Sequence, residues 1–320
     1  MTLPEQKRFS LPVIREELNS ERLRTEICGI KLDNPLILAS GILDENGYTM
    51  ARILREGAAA VVTKSIGSDE RTGYMPPVVS PGDGYLLNAI GLTNPGIDNY
   101  GEEIAIAREV GKPVIGSIFG KDAEEFSTLA GKMESFGVSA LELNLSCPHV
   151  KGFGSEIGSD PDAVEEIVNE VKRAVSIPVF AKLSPNVTDI VQIAKAAEAA
   201  DALVLINTIR GMAIDVFARK PSLTNVYGGL SGRAIKPVGV RLVYEVKKET
   251  GRTIIGVGGI SCAQDVLEYV MAGSSCVELG TVLMEEGKGI FSKVSTELSI
   301  LLDQLGFDNI SDAVGVAISK

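Results

Sequence analysis

From residue 36 onward the chain repeats one unit: a short apolar run, a polar or glycine-bearing turn, then an amphipathic stretch of helix length. The runs at 36–40, 58–64, 113–119, 140–146, 178–184, 202–208, 253–258 and 275–280 read as strands. The stretches at 49–56, 98–110, 122–136, 161–175, 188–200, 237–250 and 263–272 read as the helices between them, with a last helix at 290–305. Asp160 stands where the helix at 161–175 needs an N-cap. Alternating strands and helices imply parallel pairing through right-handed crossovers. Eight such units predict a closed (β/α)8 TIM barrel. An open doubly wound sheet is the alternative. It would more often place G-x-G-x-x-G after the first strand, and Ser40-Gly41-Ile42 offers none.

The rest of the chain fits one large domain. With 320 residues, 45% of them hydrophobic, the chain has enough apolar surface for a barrel-sized core. Residues 1–24 are charged and irregular and predict a surface arm; 25–320 then form a single barrel domain. Within it, 25–32 predict a hairpin around Gly29. Two long stretches, 67–96 and 209–232, predict loops inserted at the carboxyl ends of strands, and loops of that length are usually functional.

The formal net charge of -11 argues against a nucleic-acid partner, which needs a basic field. No apolar run approaches the roughly 20 residues needed to span a bilayer, and the N-terminus has no signal-peptide core. A cytoplasmic protein without a membrane partner is the expectation. The four cysteines, Cys28, Cys147, Cys262 and Cys276, form no C-x-x-C pair, so no metal or cluster site is expected in this chain. His149 is the only histidine, which weakens a Ser-His or Cys-His hydrolase reading.

In a barrel of this kind the carboxyl ends of the strands face the active site. Read in order, those ends are Ser40, Lys64, Ser117, Asn144 with Cys147, Lys182, Asn207-Thr208, Gly258-Gly259 and Gly280-Thr281. Lys64 and Lys182 close apolar runs, and a buried lysine is costly unless paired. Glycines at the last two strand ends suit a phosphate, because backbone N–H groups can approach an anion there. Phosphate beside lysines suggests flavin mononucleotide (FMN). Cys147 heads a loop after Asn144-Leu145-Ser146 and reads as a base or a nucleophile. Cys28, Cys262 and Cys276 read as small buried hydrophobes.

These residues resemble a known family. Asn144-Leu145-Ser146-Cys147-Pro148, Asn88-Ala89-Ile90-Gly91-Leu92 with Asn94-Pro95-Gly96, Lys182-Leu183-Ser184-Pro185-Asn186, Ile206-Asn207-Thr208 and Gly228-Gly229-Leu230-Ser231-Gly232 resemble class 1 dihydroorotate dehydrogenases. The motifs run in the family's order over nearly the whole chain. Gly211-Met212-Ala213-Ile214-Asp215, Ala234-Ile235-Lys236-Pro237 and Cys147-Pro148-His149-Val150-Lys151-Gly152 are most similar to the NAD-linked subclass, class 1B.

The resemblance implies oxidation of dihydroorotate to orotate in pyrimidine biosynthesis, with Cys147 as the base and FMN as hydride acceptor. Ser40, Lys64, Ser65, Ser117, Asn144, Lys182, Ile206, Gly232, Gly258, Gly259, Gly280 and Thr281 would hold FMN. Lys64, Asn88, Ala89, Ile90, Gly91, Leu92, Asn144, Asn207 and Thr208 would hold the substrate. It further implies a homodimer within a heterotetramer, whose second subunit carries FAD and a [2Fe–2S] cluster and passes electrons to NAD. Three positions depart from the family's pattern: Ser117 replaces an asparagine, His149 an asparagine and Arg233 a proline. Alternatives are a self-sufficient, fumarate-dependent class 1A enzyme, a non-redox phosphate-binding isomerase or aldolase with Lys182 as Schiff-base former, and a non-catalytic binding subunit.

Overall fold

The computed structural model describes residues 20–146 and 157–318. Eight parallel strands close on themselves: β1 (Leu36–Leu38), β2 (Ala60–Val62), β3 (Val114–Ile118), β4 (Ala140–Asn144), β5 (Val179–Leu183), β6 (Ala202–Leu205), β7 (Ile254–Val257) and β8 (Cys276–Leu279). β8 pairs with β1 through Val277 and Leu36, which seals the barrel. Each strand lies inside its expected run, one or more residues shorter at one end or both.

The outer layer consists of α1 (Gly47–Arg55), α2 (Gly101–Arg108), α3 (Ala123–Ser135), α4 (Pro161–Ala174), α5 (Ile190–Ala196), α6 (Lys236–Thr250), α7 (Ala263–Met271), α8 (Val282–Glu286) and α9 (Ile290–Leu305). Their starts follow local chemistry. The side chains of Asn46, Asp122, Asp160 and Asp189 accept backbone N–H bonds from the first turns of α1, α3, α4 and α5. Asp160 is the cap expected from the sequence, with Pro161 in the first turn. α8, a single short helix directly after β8, has no counterpart in the sequence reading.

The pleat divides each strand between two apolar layers. Leu36, Leu38, Val61, Leu141, Leu143, Val179, Leu203 and Leu279 pack with the helices. Ile37, Val62, Ile115, Ala140, Phe180, Ala202, Val204, Ile255 and Cys276 fill the barrel interior. The predicted hairpin, Thr25–Ile27 with Ile30–Leu32, joins that interior through Ile27 and Leu32, so it plugs the amino-terminal end. The pocket can then open only at the other end.

Both long excursions were expected as loops, and here the structure corrects the reading. Val79–Gly82 and Tyr85–Asn88 from the first excursion join Ile209–Gly211 and Gly228–Ser231 from the second in one antiparallel four-stranded sheet. Two smaller pairings, Glu70–Arg71 with Asn94–Pro95 and Ile214–Asp215 with Lys220–Pro221, brace their flanks. The four-stranded sheet forms a roof over the carboxyl end of the barrel.

Candidate active site

Beneath the roof lies a cavity of about 1010 Å³. Of the residues expected to bind cofactor or substrate, Ser40, Lys64, Ser65, Asn88, Ala89, Ile90, Gly91, Leu92, Asn144, Lys182, Ile206, Asn207, Thr208, Gly232, Gly258, Gly259, Gly280 and Thr281 all line it. Ser117 does not. It is fully buried, and its hydroxyl oxygen lies 2.8 Å from that of the cavity-lining Ser65. Cys147 and His149, with the loop residues Lys151, Gly152 and Gly154, fall outside the described residues. On either side of that segment, Ser146 lines the cavity and the Gly158 N–H donates to Leu145 O at 2.8 Å.

A polar chain crosses the barrel mouth. Ser40 and Ser65 hydroxyls lie 3.3 Å apart, Asn144 Nδ2 donates to Ser65 Oγ at 3.2 Å, and Asn207 Nδ2 donates to Asn144 Oδ1 at 3.2 Å. Thr208 N–H donates to Asn207 Oδ1 at 2.7 Å, and Asn186 Nδ2 to Thr208 O at 3.0 Å. Each amide is thereby fixed in orientation, as recognition of a planar amide-bearing ring requires. Asn88 is held from the roof, its Nδ2 donating to Gly229 O at 3.3 Å.

The opposite wall is built for close approach. The turn after β7 is tight: Gly259 has φ +73°, and a Cβ there would sit 2.8 Å from both Gly232 O and Lys236 N. Asp265 holds the same turn through the N–H and hydroxyl of Ser261, both at 2.8 Å, while Lys236 bridges Asp265 and Glu268 at 2.8 and 2.6 Å. Tyr269 donates its hydroxyl to Gly258 O at 2.7 Å. Gly280 differs. A Cβ built on it meets only Ala39 Cβ, at 3.6 Å, so a side chain there would project into cavity space rather than into protein. Thr281 Oγ1 lies 2.8 Å from Ser231 Oγ, tying the turn after β8 to the roof.

Lys182 is buried, and the structure supplies partners that the sequence reading missed. Its ammonium donates to Glu142 Oε1 at 3.1 Å and Glu278 Oε2 at 2.9 Å, from β4 and β8. Burial alone would lower its pKa; the two carboxyl groups outweigh that and hold it above the usual lysine value. Glu278 is pushed well above the carboxylate range, first by burial and then by Glu142. Asp44, behind the turn after β1, is also fully buried and titrates at about 6 because of burial, with the Gly41 N–H and Lys64 opposing. Arg71, Arg210 and Arg233 add cationic side chains to the rim of an acidic protein, and none of the three was expected in the site.

Fold and site define a (β/α)8-barrel enzyme whose pocket sits at the carboxyl ends of its strands, between a glycine-lined wall and a chain of oriented amides. A family model described as dihydroorotate dehydrogenase matches residues 22–302. Relatives named dihydroorotate dehydrogenase B (NAD(+)), catalytic subunit, include that of Thermoplasma acidophilum, 63% identical over 92% of this chain and 99% of its own length. That of Thermoplasma volcanium is 62% identical over 93% and 99%, and that of Methanocaldococcus jannaschii 48% over 92% and 98%. The chain belongs to the dihydroorotate dehydrogenase family, in its NAD-linked class 1B branch.

Proposed function

We propose that this chain binds FMN and oxidises dihydroorotate to orotate, with Cys147 as the base. One observation carries the reading: of twenty residues assigned to that chemistry by sequence, all but Ser117 and Cys147 line a single cavity. The wall fits the group. Gly258, Gly259, Gly280, Thr281 and Gly232 offer backbone against which a phosphate can lie, and Gly280 keeps space that a side chain would fill. Bound FMN would supply the hydride acceptor. Lys182 and Lys64 present ammonium donors to ring and substrate, and Asn88, Asn144 and Asn207 read the amide edges of a pyrimidine.

Cys147 would remove the proton from the carbon beside the ring carbonyl. A thiol suits the task because its ordinary pKa, about 8.5, lies nearer neutral pH than that of a serine hydroxyl. The relatives are named as catalytic subunits, which supports a separate partner subunit; the family resemblance implies that this subunit transfers electrons through FAD and a [2Fe–2S] cluster. The test is anaerobic mixing of the FMN-loaded chain with dihydroorotate. The yellow colour should bleach, and Cys147→Ala should keep its flavin but bleach at least a hundredfold more slowly, as loss of a general base does. A yellow wild type that stays yellow removes the substrate assignment; a Cys147→Ala variant that bleaches normally removes the base.

A further inference from the structure

The barrel interior is apolar except at one level. There Glu142 and Glu278 converge on Lys182, each side chain almost wholly buried. All three line the cavity, and Cys276, on the strand of Glu278, is a further titratable group that feels the Glu278 charge. Their register partners on the neighbouring strands are the uncharged Ser117 and Asn144 and the apolar Ile37, Phe180, Val204 and Val257. One ammonium therefore faces two carboxyl groups in a site with little water. It can offset one negative charge; the second would stand uncompensated in a low-dielectric interior, which costs several kcal/mol. The remaining oxygens, Glu142 Oε2 and Glu278 Oε1, are buried and find no donor among the described residues. Glu142 and Glu278 also lie within hydrogen-bonding range of each other. A proton between them would satisfy both.

We propose that Glu142 and Glu278 share a single proton against Lys182, so that the three side chains form a charge-neutral unit beneath the ligand. Resting on the FMN reading above, this makes Lys182 a hydrogen-bond donor to the flavin whose positive charge is already matched from below. The two glutamates are positioning residues that act through Lys182. They are also redundant: with either one neutralised, the other ionises and the unit stays neutral.

Two measurements decide this. Infrared spectra of the protein with ¹³C-labelled glutamate, flavin-free or loaded, should show a buried protonated carboxylic acid at pH 8, lost in both Glu142→Gln and Glu278→Gln. Its absence from the wild type, or its survival in both variants, overturns the shared proton. The second is the midpoint potential of bound flavin. Each single variant should leave the equilibrium constant for flavin reduction within threefold of wild type. If both carboxylates were ionised, removing either charge would raise it more than tenfold, about 30 mV for a two-electron couple, and the proposal fails. A wild type that takes up no FMN would sink the cofactor reading and the flavin half of this proposal, while the infrared bands still decide the proton.

Discussion

At the scale of single residues, the site rests on charges held out of water. Lys182→Ala would leave two carboxyl groups buried without their cation. We expect a loss of about 3–5 kcal/mol in stability, read by urea unfolding, together with weaker flavin retention or slower flavin reduction. Unchanged stability and flavin behaviour would mean that the triad is solvated in solution. Asp44 gives a prediction with a pH sign. Unfolded, it releases its proton near its ordinary value of about 3.9; folded, at about 6. Between these values the native state binds more protons, so this group's contribution to stability falls as pH rises. A gap of about two pH units is worth roughly 3 kcal/mol. Asp44→Asn lacks that slope. The stability difference should move in the variant's favour by up to ~3 kcal/mol between pH 4 and pH 7, and a difference independent of pH would contradict the burial of an ionisable carboxyl.

Between elements, the glycine-lined wall depends on helix packing. A side chain at Gly239 on α6 would collide with the Tyr269 hydroxyl, and that hydroxyl holds Gly258 O. Gly239→Ala should cost about 1–3 kcal/mol and weaken FMN binding, measured by unfolding and flavin titration. Gly131→Ala on α3 is the counterexample: nothing lies within 4 Å of the added carbon. It should stabilise by up to about 1 kcal/mol through helix propensity, with no change in flavin affinity. The two glycines look alike in sequence, which shows where sequence reading stops. Strand positions were legible because apolar runs bounded by turn residues have local causes. The partners of Lys182 were not, since Glu142 and Glu278 lie 40 and 96 residues away. Within Leu141-Glu142-Leu143-Asn144 the alternation reads as a half-solvated strand, whereas here both faces are buried. The roof escaped notice because its strands, Val79–Gly82, Tyr85–Asn88, Ile209–Gly211 and Gly228–Ser231, mix in glycine, proline and polar residues that read as turns rather than as apolar runs. Ser117 was placed on the wall by resemblance, and only three dimensions show it buried, with its hydroxyl beside that of the cavity-lining Ser65.

For the whole molecule, the open question is where the electrons go. If the partner reading holds, flavin bleached by dihydroorotate recovers its colour with NAD only when an electron-transfer subunit is added. Recovery with fumarate alone would instead make the chain self-sufficient. Among the described residues no helix is long and apolar enough to cross a membrane. The roof has a consequence of another kind. Asn88 and Gly229, paired across it, are 141 residues apart in the chain, and every unit from β3 to β6 lies between them. Such distant segments meet only after the intervening chain has been brought to order, because loop closure must precede the contacts that reward it. A nascent chain emerging residue by residue therefore has helices and partial sheet long before it has a pocket, and competence to recognise a ligand arrives together with ring closure rather than by degrees.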